Sequence, residues 1–348
     1  MSKILLISVF LLFVFADSFG QLGGRNSFAF LNTPVNAHIA GVGGMNVSLY
    51  DNDVNLVSQN PALLRDTMHG FFSTNYLPYY ADISATSIMF AHRIKKTGIW
   101  AGGLQYFNYG TLSETDEAGN YKGNFYPQEF ALSLSKSHTI NYFTLGGTAK
   151  FAVSGVAPGY TSYGLLLDMG GTFRHPQHDL TIGMAIKNIG FAVKKYDKNS
   201  TVNMPFDVQL GISFKPKHMP IRLSITAHHL YQYNITYLDT LYSQTIDLNG
   251  NKIIPQVNFF NNLARHFVIG AEIIVTKNIH IRGGYNFQQN LELSLDDKSG
   301  GAGLSWGFMF RIKSFEFAFT RAYYHISGGK SWLTVTVNAN NLFKKKNQ

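Results

Sequence analysis

The residues best suited to covalent chemistry fall into patterns that each lack a part. Ser133-x-x-Lys136, Lys96-Thr97-Gly98 and Tyr50-Asp51-Asn52 echo the boxes of penicillin-binding enzymes, in which a lysine one helical turn away activates the serine. Here the serine box comes last in the chain instead of first, and Ser133 lies in a run that alternates like a strand. Gly303-x-Ser305-x-Gly307 has the spacing of a nucleophile elbow, which requires a strand-to-helix turn. Leu304, Trp306, Phe308 and Phe310 carry an alternating pattern straight through Ser305. Neither serine is therefore expected to be a nucleophile. No catalytic residue is nominated, and the chain is not expected to be an enzyme.

Ion and nucleotide motifs are equally incomplete. Asp51-x-Asp53-x-Asn55 begins like a calcium loop, but the sixth and twelfth positions are Leu56 and Ala62 where that loop needs glycine and glutamate. Gly41-x-Gly43 lacks the third dinucleotide glycine, because position 46 is Asn46, and Gly329-Lys330-Ser331 lacks the upstream Walker glycine, because position 324 is Tyr324. His228 and His229 are adjacent. On a strand, adjacent side chains point to opposite faces and cannot grip one metal. The chain has no cysteine, which excludes disulfides and thiolate metal sites. No metal and no cofactor are expected.

The elements that would position these residues alternate with a period of two from Met68 onward. Phe130, Leu132 and Leu134 alternate with Ala131, Ser133 and Ser135, and Val208, Leu210, Ile212 and Phe214 with Gln209, Gly211 and Ser213. Each run therefore has one apolar face and one polar or small face. About fourteen such runs are expected, most near the 9–11 residues that cross a bilayer at a tilt. They are placed at 68–76, 82–94, 97–109, 126–137, 140–153, 162–175, 178–188, 205–215, 219–231, 265–276, 278–288, 302–312, 314–325 and 331–338. Tight turns such as Lys95-Lys96, His138-Thr139 and Lys313 alternate with long connections at 110–125, 189–204, 232–264 and 289–301, with shorter members at 77–81, 154–161 and 326–330. That parity marks a closed antiparallel transmembrane β-barrel, an all-β fold. An even strand count puts both termini on the tight-turn side, the periplasm. Closure also pairs every backbone polar group, as lipid demands.

Composition agrees. Only 14% of residues are charged, Tyr and Phe number 19 and 28, and the net charge of +9 is spread along the chain. A dispersed basic balance suits an anionic envelope surface of outer-membrane lipid and lipopolysaccharide, and no nucleic-acid partner is expected. Lys3, the apolar run from Ile4 to Ala16 and Ser18-Phe19-Gly20 read as a cleaved signal peptide over 1–20. No later stretch is long and apolar enough for a transmembrane helix. Residues 21–67 are expected to form a plug, 68–340 the barrel, and 341–348 a basic tail.

One stretch departs from the alternation. Ala37 to Leu64 carries Gly41, Gly43 and Gly44, then Asn46, an Asp51-Asn52-Asp53 turn and an Asn60-Pro61 break. Glycine at this density allows positive φ and close backbone approach, and Asn, Asp and Pro set short turns. The segment is expected within or beneath the barrel. The inward face of the barrel is expected to carry Lys150, Lys187, Glu272, Arg282 and Arg311. Such charges either pair with one another and the plug or line a transport path. The long connection 232–264, with Tyr237, Tyr242, Phe259 and Phe260, is the candidate partner loop, since exposed aromatics anchor interfaces.

Leu31-Asn32-Thr33-Pro34, Asn36-Ala37 and the Ala40–Leu64 run resemble the plug of the FadL-like outer-membrane barrels of Bacteroidetes. Asn262-Leu263, Arg265-His266, Gly270, Glu272 and Arg282-x-Gly284-Tyr285-Asn286 extend the resemblance to the far end of the chain. Within that group it is most similar to the PorQ family of the type IX secretion system. The resemblance implies an attachment complex in which the barrel tethers a PorZ-like surface subunit beside a PorU-like sortase and a PorV-like shuttle. The wider FadL-like likeness implies a second function, transport of hydrophobic small molecules. A transporter would need a continuous apolar pocket and a lateral opening.

Overall fold

Alternation along the strands is what lets this sheet close on itself. The computed structural model describes residues 26–236, 258–293, 301–325 and 328–342. In chain order the strands are β1 (Phe71–Pro78), β2 (Ser84–Ile94), β3 (Gly98–Asn108), β4 (Leu112–Thr115), β5 (Tyr121–Phe125), β6 (Gln128–Ile140), β7 (Phe143–Ala157) and β8 (Tyr160–Arg174). They continue with β9 (Asp179–Lys194), β10 (Asp207–Lys215), β11 (Ile221–Ala227), β12 (Phe267–Thr276), β13 (Ile279–Asn286), β14 (Leu304–Ile312), β15 (Phe315–His325) and β16 (Gly328–Asn338). All but β4 and β5 form one closed ring in which each strand pairs with its sequence neighbours. β1 and β16 close it in antiparallel register, from Phe71 opposite Asn338 to Tyr76 opposite Leu333. The expected closed antiparallel barrel of fourteen strands is therefore present.

The two faces sort as the period of two demands. Leu132, Leu134, Leu165, Ile212, Phe308 and Leu333 point outward and are exposed. Their inward neighbours bond rung by rung, as in Ser135 to Thr148 at 2.8 Å, Ser73 to Thr336 at 2.9 Å and Thr334 to Asn75 at 2.6 Å. An apolar outside and a polar inside invert the arrangement of a water-soluble domain and match a barrel set in lipid. The tight turns, from 94–98 to 312–315, share the rim where β1 begins and β16 ends. The opposite rim carries the long connections together with three short ones, at 78–84, 157–160 and 325–328.

Several elements differ from the sequence expectation. The connection 110–125 is a hairpin, β4–β5, turned by Asp116, whose carboxylate accepts the amides of Ala118 and Asn120. β9 runs to Lys194, six residues beyond the expected end, and β11 stops at Ala227 instead of 231. Helices α2 (Phe259–Arg265) and α3 (Phe287–Leu293) occupy parts of segments expected to be strand or irregular connection. Tyr237 and Tyr242, the signal segment and the basic tail from 343 onward lie outside the described residues. Phe259 and Phe260 on α2 are exposed.

Candidate functional site

The plug fills the lumen because its turn residues satisfy their own backbone. Asn36 caps helix α1 (Ala37–Gly41) by accepting the Ile39 amide at 2.9 Å. Asn46 accepts the amides of Ser48 and Leu49, Asp53 that of Asn55 and Asn60 that of Ala62, each at 2.9 Å. These are the cap and Asx geometries that Asn and Asp favour, and Pro61 occupies a first-turn position. Ala37, Ile39, Val47, Leu49, Leu56 and Leu63 are fully buried.

Wall and plug touch backbone to backbone. Gly43 has φ 98°, and a Cβ on its wall neighbour Gly284 would lie 2.1 Å from the Gly43 nitrogen. A Cβ on Gly183 of β9 would lie 2.0 Å from the Val47 carbonyl oxygen. Only glycine allows approaches of this kind. The expected plug within the lumen is what the structure contains. Gly41 meets the wall at Thr320 and Arg282, and Gly44 has φ 92°.

An ionic seat holds the plug from the side. Arg222, Glu272 and Arg282 are direct cross-strand neighbours on β11, β12 and β13. Glu272 Oε1 accepts Arg282 Nε at 2.8 Å and lies 3.1 Å from His280 Nδ1, while Oε2 accepts Arg222 Nη1 at 2.8 Å. The same Nη1 lies 3.4 Å from Asp51 Oδ2 of the plug. His38 Nδ1 lies 2.8 Å from Asp53 Oδ2, and its Nε2 is 3.7 Å from Glu272 Oε1. Burial works to raise the Asp51 carboxyl, but the Arg222 guanidinium prevails and holds it below the ordinary carboxylate value.

Among the described residues, His38, Asp51 and Glu272 bring ligand atoms within 4.8 Å of one another. The space between Asp51 and Glu272 already holds a cation, Arg222 Nη1. The trio therefore serves an ion-pair network and is a poor metal seat.

Lys150 and Arg311 are paired too. Lys150 Nζ lies 2.5 Å from Asp168 Oδ2 and donates to Asn188 at 3.0 Å. Lys187 is buried and stands opposite Asp207 in register. Arg311 meets Glu316 at 2.6 Å near the tight-turn rim. Sequence reading missed Arg222, although position 222 shares its inward parity with Ser224 and Thr226. The serines are apart from any activating partner. Ser133 faces inward while Lys136 is exposed over Trp100 on the other face, and buried Ser305 donates to the Gly41 carbonyl.

His228 and His229 correct the expectation that adjacent rings diverge. β11 has already ended, His229 takes φ 53°, and the two Nδ1 atoms meet at 2.6 Å.

Two cavities flank the plug. One, of about 60 Å³, is lined by Thr33, Gln59, Gln105, Lys150 and Asp168. The other, of about 160 Å³, lies against Asn32, Met45, Tyr79, Lys330 and Trp332. The wall itself is interrupted at β9. β10 starts at Asp207 opposite Lys187, so Ile189 to Lys194 pair only with β8. Asn188 takes φ 59° and ties the break to Pro205 O at 2.9 Å and Asn32 Oδ1 at 2.8 Å. An outward groove of about 570 Å³ follows, lined by Ile189, Phe191, Lys195, Asn203, Met204 and Phe206.

No protein-family model and no curated protein matches the chain. Among solved structures, it is similar to the toluene transporter TbuX of Ralstonia pickettii, at 14% identity over 88% of this chain and 96% of that one, with a TM-score of 0.46. It is also similar to the CymD monoaromatic hydrocarbon channel, at 13% identity over 87% and 96% of the two chains, with a TM-score of 0.48. A Pseudomonas aeruginosa FadL homologue aligns at 11% identity over 88% and 98%, with a TM-score of 0.44. Likenesses of this extent carry no function across, and the barrel architecture rests on the strand pairing itself.

Proposed function

We propose that this chain is an outer-membrane barrel whose fixed plug makes it an anchor for a cell-surface subunit and not an open pore. The observation that carries the reading is the seating of the plug. Its backbone lies against wall glycines, and its carboxylate Asp51 shares Arg222 with the wall residue Glu272. A plug bound in both ways resists displacement. The apolar outward belt supports the membrane setting, and tight turns at the shared terminal rim fit periplasmic termini. By the resemblance of its plug and Arg-x-Gly-Tyr-Asn residues, the assembly is that of type IX secretion. The loop 232–264 would then hold a PorZ-like subunit, with PorU-like and PorV-like partners beside it.

The test is affinity capture from detergent-solubilised outer membrane, with mass spectrometry of what co-purifies. Deleting 240–258 is expected to leave a heat-resistant inserted barrel that loses its surface partner. Equal recovery of the same partner by the deleted form defeats the loop as interface.

A second reading, transport of small hydrophobic molecules, is favoured by the break in the wall. Ile189, Phe191 and Met204 line the groove beside Asn188 together with Lys195 and Asn203, and Phe28 of the plug and Met204 of the β9–β10 connection both approach Gly164. Under that reading the same capture recovers no surface subunit from either form.

A further inference from the structure

The net charge of +9 is spread along the sequence, but folding gathers it at one rim. The six tight turns and the link from plug to β1, taken with adjoining strand residues, are 65–70, 93–98, 140–143, 174–179, 215–221, 276–279 and 312–315. Among the described residues these hold nine lysines and arginines against two carboxylates. Both carboxylates are already shared, Asp66 lying 3.7 Å from Arg93 and Asp179 3.7 Å from Arg174. Lys95, Lys96, Lys217, Lys277 and Lys313 are exposed and meet no carboxylate among the described residues. On the described part of the opposite rim the signs are mixed, with Asp82, Glu117 and Asp197 accompanying Lys122, Lys195 and Lys198.

The turns are too short to carry these side chains far from the sheet. Lys95 follows Ile94, Lys313 follows Ile312, and Lys277 precedes Ile279 by two residues. All three isoleucines are exposed on the apolar outer face. At about 3.3 Å per residue, each lysine stands at the edge of the apolar belt, where its long stem keeps the ammonium at head-group depth. Turn chemistry alone does not call for a lysine there. Lys313 takes φ 54°, a left-handed conformation that glycine and asparagine enter at less cost. The 140–143 turn, the one tight turn without a lysine or arginine, uses Asn141 at φ 54°.

We propose that the tight-turn rim is a basic collar that binds the phosphates of anionic phospholipid head groups in the leaflet it meets. The five lysines sit on the turns after β2, β10, β12 and β14, with Arg174 at the end of β8. They therefore run around the circumference instead of forming one patch. A lipid leaflet surrounds the barrel on every side and meets all of these turns at once, whereas a protein docking from the aqueous side would have to cover the whole end of the barrel. A lysine at an anionic surface favours the charged lipid about fivefold. The collar goes beyond the anchoring and transport readings and rests on neither, since it needs only a barrel set in a bilayer.

The chain carries its own probes, because it has three tryptophans. Trp100 lies on the outer face at the tight-turn end of β3, where its Nε1 donates to Thr97 Oγ1 at 2.9 Å and its ring centre is 5.0 Å from Lys136 Nζ. Trp306 is exposed on the outer face near the other end of β14, and Trp332 is buried. The purified full chain is reconstituted in phosphatidylcholine vesicles that contain brominated phosphatidylglycerol or, in parallel, brominated phosphatidylcholine. Bromine quenches a tryptophan that it touches. Trp306→Phe reports from Trp100, and Trp100→Phe reports from Trp306. Orientation in the vesicle is immaterial, since each rim keeps a leaflet of its own. At Trp100 the anionic lipid is expected to be favoured about fivefold over the zwitterionic one, and at Trp306 the two are expected to quench alike. Replacing Lys95, Lys96 and Lys136 together by Gln in the Trp306→Phe chain is expected to abolish the preference. Equal preference at both ends, none at Trp100, or one that survives the three substitutions overturns the collar. No lipid preference, with lysine-dependent binding of soluble polyglutamate, also overturns it and makes the rim a docking surface for an acidic protein.

Discussion

Gly284 measures how little room the wall leaves for the plug. A methyl group there would lie 2.1 Å from the Gly43 nitrogen and 2.3 Å from the Val42 carbonyl carbon. Gly283, one residue back and on the other face, has 3.9 Å to its nearest neighbour. Gly284→Ala is expected to lower stability by about 1–3 kcal/mol, the usual cost of overpacking, whereas Gly283→Ala is neutral. Urea unfolding midpoints of the two variants in detergent decide, and equal midpoints refute a tight seat. At this scale the turn chemistry of Asn46, Asp53 and Asn60 was legible, because Asx turns and caps are local. The partner of Gly43 was not, since it depends on the register of a strand 241 residues away. The meeting of His228 and His229 was hidden too. Nothing before His229 resembles a breaker, and its positive φ is a conformation that histidine visits only occasionally.

Three strands share the work of holding Asp51. Arg222, Glu272 and Arg282 stand side by side on β11, β12 and β13. Removing only the central carboxylate leaves two buried guanidiniums with too little countercharge. Glu272→Gln is expected to cost about 3–5 kcal/mol, as for a broken buried pair, and to loosen the plug. The chain has no cysteine, so a single Ser48→Cys, fully buried in the parent, reports this directly. Maleimide is expected to leave that thiol unlabelled in the parent background and to label it once Glu272→Gln is added. Continued protection would show that the ion pairs do not hold the plug. Strand positions were readable because parity survives errors of a few residues. Element ends were not: β9 continues past β10, and its extra length is set by pairing with β8 alone. The β4–β5 hairpin had a signal in Asp116 and Gly119, which supply an Asx turn and a positive φ of 85°.

The whole molecule is a ring closed around its own amino-terminal segment. Deleting 37–64 is expected to convert a non-conducting barrel into an ion-conducting one in planar bilayers, because a barrel of this size leaves a lumen that side chains alone fill poorly. A deleted form that inserts without conducting would show that other elements seal the lumen. The contacts of the plug with the final strands carry a further implication, for the order of events in biogenesis. Trp332 Nε1 donates to Pro34 O at 2.9 Å, Ala37 N to Thr334 Oγ1 at 2.9 Å, and Thr320 Oγ1 to Ala37 O at 2.6 Å. Thr334 also pairs across the seam, opposite Asn75 of β1. The plug thus binds the last strands of the ring at the place where it must shut. Closing a loop this long is the slow, entropically costly step of such a topology. A plug already in place gives β15 and β16 a template to settle on. The segment that stops the vessel is therefore also part of what seals it.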